Sequence, residues 1–82
     1  MNIKNNDKNV VYINMSKYIL CCSYETIIAY YDRQTDKIYK SDYFYSRTTS
    51  KHFNRFLDYY NFSKNQVIKV DRQEFENFVN NL

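Results

Sequence analysis

None of the 82 residues is glycine and none is proline, and that absence limits what the chain can fold into more than any residue it contains. Every reversal must be made by residues that carry a Cβ, so positions needing positive φ fall to types such as Asp that tolerate the left-handed region. Phosphate-cradling glycine loops are excluded outright. A chain of 82 residues has room for one small core, because it buries little more than about 60% of its unfolded surface. Hydrophobic residues at 44% are sufficient for a globular fold.

The first nine residues, MNIKNNDKN, are polar and aperiodic and read as a loose N-terminal arm, leaving one domain over residues 10 to 82. VVYINM (10 to 15) is rich in β-branched and aromatic residues and predicts a strand; KYILCCSY (17 to 24) predicts a second, buried one. ETIIAYYD continues the β signal, and residues 25 and 26 form either a tight turn or a bend within one long strand. Two β segments, at about 27 to 32 and 38 to 45, flank a reversal in which Asp36 stands where a bulged hairpin usually has glycine. Alternation then puts Tyr43 and Tyr45 on one face and Phe44 on the other. NQVIKV (65 to 70) supplies a final strand.

Two helices follow from periodicity. In SRTTSKHFNRFLDYY, Thr49 or Ser50 is placed to cap a helix from about 50 to 61, because Phe53, Phe56, Leu57 and Tyr60 recur at i, i+3, i+4 and i+7. Lys51, Asn54, Arg55 and Asp58 take its polar side, with Arg47 just before it. In DRQEFENFVNNL, Asp71 is the N-cap, Glu74 holds the capping-box position, and Phe75, Phe78, Val79 and Leu82 form the apolar stripe. The fold class is therefore α+β: a small antiparallel sheet of four to five strands with two short amphipathic helices packed on one face.

Ten Tyr and six Phe accompany many Asn and Lys, a bias that AT-rich codons also produce. Buried tyrosines need partners for their hydroxyls, so several rings are expected half-exposed. The net charge of +3 is too small to imply nucleic acid by itself and has the wrong sign for an imitation of DNA. Its distribution is uneven: residues 33 to 69 hold eight Lys or Arg against Asp36, Asp42 and Asp58, while the chain from Asp71 onward is acidic. Cys21 and Cys22 are adjacent and point to opposite faces of a strand, which argues against a disulfide between them and for reduced thiols in a cytosol. The longest apolar run, residues 18 to 22, is far too short to span a membrane, so a cytoplasmic protein is expected.

Catalysis finds little support. His52 is the lone histidine; Ser46, Ser50 or Cys22 as nucleophile and Asp58 or Asp42 as orienter lack any spacing that marks a site, with no nucleophile elbow and no HExxH. One histidine and two vicinal cysteines offer no metal quartet, and no cofactor is implied. Binding is the chemistry that remains. Exposed Tyr43 and Tyr45 beside a helix start carrying Arg47, Lys51, His52 and Arg55 suit base stacking and phosphate contact, or anchoring on a partner protein.

CCSYETIIAYYD, then YFYSRTTSKHFNRFL, then VDRQEFENFV resemble a small domain of unknown function found in bacteriophage and prophage proteins of mainly Gram-positive hosts. Its pattern is a Ser-Tyr-x-Thr-x-x-Ala strand, a tyrosine-bearing hairpin and a Ser-x-Thr-Thr-Ser-Lys-His helix start. The matching positions are Ser23, Tyr24, Thr26 and Ala29, then Ser46, Thr48, Thr49, Ser50, Lys51, His52 and Asn54. Glu25 and Ile27 stand where that pattern has Gly and Pro. The resemblance covers about residues 19 to 79 and implies a small accessory protein of phage or mobile-element origin in the bacterial cytoplasm. Such a protein is expected to act without chemistry of its own, binding a host protein or ribonucleoprotein and inhibiting a nucleic-acid-handling or defence system such as a CRISPR effector. The alternative is an accessory protein that binds single-stranded nucleic acid. Neither reading involves a membrane, and the oligomeric state stays open.

Overall fold

The structure is a computed structural model and describes residues 9 to 43 and 45 to 82. Strands β1 (Val10–Asn14), β2 (Tyr18–Ser23), β3 (Thr26–Asp32) and β4 (Lys37–Ser41) lead to helix α1 (Arg47–Tyr59). A short 3-10 turn (Lys64–Gln66), β5 (Val67–Val70) and α2 (Arg72–Asn80) follow. The α+β class is the one expected, and the five strands form one open sheet in the order β1-β2-β3-β4-β5. The arm expected over residues 1 to 9 falls outside the described residues except for Asn9, whose carbonyl accepts from the Tyr24 amide at 2.7 Å.

The reversals show how a chain without glycine turns. Tyr24 (φ 51°) and Glu25 (φ 67°) are both left-handed and close a two-residue hairpin between the paired residues Ser23 and Thr26. That is the sign pattern of a type I′ turn, whose twist matches the flanking strands. The tight turn, not the bend, is therefore what the chain adopts, one residue earlier than positions 25 and 26. Two bulky residues at positive φ cost about 1–2 kcal/mol each, and the Asn9–Tyr24 bond helps to hold them there. Asp36 (φ 58°) takes the left-handed position expected of it. Its carboxylate accepts from the Tyr31 hydroxyl at 2.6 Å and from Gln66 Nε2 at 3.0 Å, tying the β3–β4 hairpin to the 3-10 turn. Asn61 (φ 60°) ends α1: its amide donates to Asp58 O at 3.1 Å and the Phe62 amide to Leu57 O at 2.8 Å, the two bonds of a Schellman motif.

The antiparallel sheet with both helices on one face is corrected in two respects. β4 and β5 run parallel, with Ile38 opposite Val67 and Lys40 opposite Lys69. Joining parallel neighbours takes a crossover of a dozen or more residues, and α1 is that crossover. The helices lie on opposite faces. α1 sets Phe53, Phe56 and Leu57 on Ile19, Cys21, Ala29 and Ile38, while α2 sets Phe75 on Leu20 and Tyr30. The cause lies in β2, where Ile19, Leu20 and Cys21 are buried in succession: a strand apolar on both sides must be covered on both. Phe78 stacks on Tyr30 with ring centroids 4.1 Å apart, and Val79 packs beside it. Leu82, assigned to the buried stripe, lies beyond the end of α2 and is 45% exposed.

Burial also leaves a titratable core. It pushes the Cys21 thiol up to about 12, and the Tyr12 and Tyr30 phenols likewise to about 12, each chiefly because the charged form is desolvated. The unfolded chain releases these protons near 9 for Cys and 10 for Tyr, whereas the folded chain holds them. The stabilising contribution is therefore fully present below pH 9 and is lost as the pH rises toward 12. Urea unfolding should show a midpoint that falls between pH 9 and 11, and Cys21→Ala should reduce that fall. A midpoint independent of pH across this range would contradict the burial of these groups.

Candidate functional site

The residues singled out around position 50 are arranged by the true start of α1. Ser46, not Thr49 or Ser50, is the N-cap: its backbone is extended and its Oγ accepts from the Thr49 amide at 3.0 Å. The helix thus starts about a turn earlier than expected and also ends earlier, at Tyr59; Arg47 belongs to its first turn, and Thr49 becomes a buried residue. Its apolar face matches the periodicity at Phe53, Phe56 and Leu57, with Tyr60 half-buried at the C-cap.

His52, proposed for a contact surface, is buried at 1% exposure. Its Nδ1 lies 2.7 Å from Ser23 Oγ, which is in turn 3.2 Å from Thr49 Oγ1. The Tyr24 ring packs against the imidazole, centroids 5.5 Å apart. Ser23 and Thr49 are also buried, so this cluster fastens the end of the β2–β3 hairpin to α1 and satisfies polar groups that water does not reach. His52 therefore leaves the candidate contact surface. The cluster joins the two stretches in which the sequence resemblance was read, Ser23-Tyr24 and Thr49 to His52.

Tyr43 and Tyr45 are not on a sheet face, because β4 ends at Ser41. They lie in the connection to α1 with their rings edge to face at 4.8 Å, Tyr43 being 45% exposed and Tyr45 packed on the α1-side core. Phe44 lies outside the described residues. The Arg72 guanidinium sits 4.0 Å over the Tyr43 ring while pairing with Glu76 at 3.0 Å, so Tyr43 already stacks on a cation.

Arg47, Lys51 and Arg55 are all exposed and recur every four residues, so they form one ridge along the outer side of α1. Sequence reasoning missed Tyr59, which continues that spacing and is 70% exposed with its ring against Tyr12 at 5.1 Å. It also missed a second basic element. The parallel register sets Lys40 beside Lys69, and both line a cavity of about 130 Å³ with Ile28, Ser41, Asp42, Tyr43, Tyr45, Thr49, Ser50 and Phe53. A shallower groove continues along α1 past Asn54 and Leu57 to Lys64 and Val67. Lys40 Nζ sits 4.5 Å over the Phe53 ring, and its pKa is lowered, first by burial and then by Lys69. No sequence signal joins residues 40 and 69; only the pairing of β4 with β5 does.

Among the described residues no group of three or more His, Cys, Asp or Glu is placed to hold a metal ion. No helix of the described residues is long and apolar enough to cross a membrane. No curated protein and no solved structure matches the chain. A family model does match, over residues 1–77 and thus nearly the whole length, and the chain accordingly belongs to the family of unknown function DUF8033.

Proposed function

We propose that the chain is a non-enzymatic binding protein whose outer α1 face docks on an acidic surface of a host nucleic-acid-handling or defence protein and blocks its action. The observation that supports this most is the ridge of Arg47, Lys51 and Arg55 running into the 70% exposed Tyr59. Arg and Tyr are the residue types that anchor protein interfaces, and a row of cations steers an approach to an acidic partner. Phage or mobile-element origin, residence in the bacterial cytoplasm and an inhibitory role of the kind exerted on CRISPR effectors rest on the sequence resemblance alone. The positive net charge of +3 fits contact with an acidic patch and not imitation of a phosphate backbone.

The test is capture from host lysate, with and without nuclease, by the wild-type chain and by Arg47→Glu/Lys51→Glu/Arg55→Glu. A stoichiometric partner retained after nuclease and lost by at least about 100-fold in the triple variant is expected, three rim charges reversed against a complementary surface. Equal capture by the variant, or no partner at all, overturns the docking face.

A second reading, binding of single-stranded nucleic acid, is favoured by the extent of positive surface. Lys40, Lys64 and Lys69 line the groove beside α1, whose outer side carries Arg47, Lys51 and Arg55. Affinity for an oligodeoxythymidylate should then fall with salt, and each lysine or arginine removed from a phosphate contact should flatten the log–log slope by about 0.7. No retardation at low salt with DNA or RNA removes this reading.

A further inference from the structure

We propose that the cavity between the N-terminal half of α1 and the β4–β5 pair is a binding site for a single phosphate-class oxyanion, held between the ammonium groups of Lys40 and Lys69. The inference goes beyond the docking face and depends on neither functional reading.

Parallel pairing puts the two lysines at the same level of neighbouring strands, on the face that α1 covers. Among the described residues, no carboxylate lies within ion-pair distance of Lys40 or Lys69. Two like charges set side by side at the wall of a concave site are unfavourable without an anion between them. The position of Lys40 makes the arrangement more demanding: its ammonium is held over the Phe53 ring, partly out of water. Burial and Lys69 both disfavour its charged form, and a bound anion would reverse the second effect and offset the first. The Ser50 side of the cavity belongs to α1, whose first turn contains no acidic residue to compete for the site. Asp42 stands at the lining and limits the site to a ligand that both lysines reach.

Size selects the ligand class. The cavity holds about 130 Å³, against at least about 300 Å³ for pockets that take drug-sized molecules. One phosphate group with a little water fits between the two lysines. A nucleotide or nucleic-acid ligand would place a phosphate between the lysines, with Tyr43 and Tyr45 in the same lining for its base.

The experiment is a two-dimensional amide NMR titration at constant ionic strength, with chloride as the reference. Its arms are inorganic phosphate, thymidine monophosphate and a short oligodeoxythymidylate, each added to the wild-type chain, to Lys40→Gln, to Lys69→Gln and to Lys17→Gln as a distant control. Saturable shifts at Lys40, Asp42, Tyr43 and Ser50 are expected in at least one arm. Lys40→Gln and Lys69→Gln should each weaken binding about tenfold, the loss of one charge-assisted hydrogen bond, and Lys17→Gln should leave it unchanged. The arm that saturates first identifies the source of the phosphate. Shifts that stay linear or spread over all lysines, or lysine variants that bind as wild type while keeping the native spectrum, overturn the site. Loss of the α1 ridge in Arg47→Glu/Lys51→Glu/Arg55→Glu should still leave local shifts from inorganic phosphate, so failure of the docking face and failure of this cavity are read separately.

Discussion

Phe56→Ala and Phe75→Ala are each expected to destabilise the fold by about 3–5 kcal/mol, the range for deleting a fully buried phenyl ring. Phe56 is 0% exposed and its ring meets those of Tyr12, Phe53, Tyr60 and Phe62, so its removal opens a cavity that rigid neighbours do not fill. Phe75 is 2% exposed and alone brings a buried α2 side chain onto Leu20 and Tyr30. At about 0.05–0.15 kcal/mol per residue, a chain of 82 residues has roughly 4–12 kcal/mol in total. Either change removes a large share of that. Urea melts of the two variants decide it, and a loss under about 1 kcal/mol at Phe75 would contradict a core on the α2 side.

His52→Ala should cost about 2–4 kcal/mol, because it removes a buried ring and leaves Ser23 Oγ short of its 2.7 Å partner. Ser23→Ala should cost about 1–3 kcal/mol for the converse reason. A double-mutant cycle between them should show a coupling of about 1 kcal/mol or more, since each single change removes the same buried hydrogen bond. The hairpin amides at Tyr24 and Glu25 should lose hydrogen-exchange protection first, as both residues sit at positive φ next to the cluster. A change under about 0.5 kcal/mol for His52→Ala would mean that the cluster does not hold the hairpin to α1.

Several elements were legible because their signals are local. Asp36 at its turn, Asp71 as the cap of α2 and the Phe53, Phe56, Leu57 stripe each follow from residues a few positions apart, and the structure contains all of them. The Asp71 carboxylate accepts from the Gln73 amide at 3.0 Å and the Glu74 amide at 3.4 Å, as an Asp in that place would. The start of α1 is not legible in the same way. Ser46, Thr49 and Ser50 are all competent caps, and what separates them is whether Thr49 faces water or Ser23, a residue 26 positions away. Tyr43 and Tyr45 illustrate the same limit: alternation continued past Ser41 looks like strand, yet β4 stops at the end of its register with β5.

The sequence by itself determined the α+β class, the two amphipathic helices and the exposure of Lys51 and Arg55, because 3.6-residue and two-residue periods are set by backbone geometry. The tertiary structure alone decided that β5 joins β4 in parallel, that the helices cover opposite faces, that His52 lies inside with Ser23 and Thr49, and that Lys40 and Lys69 share a cavity. These are pairings between residues about 30 positions apart. They depend on which apolar faces are buried together, and no local pattern of a chain this short records that choice.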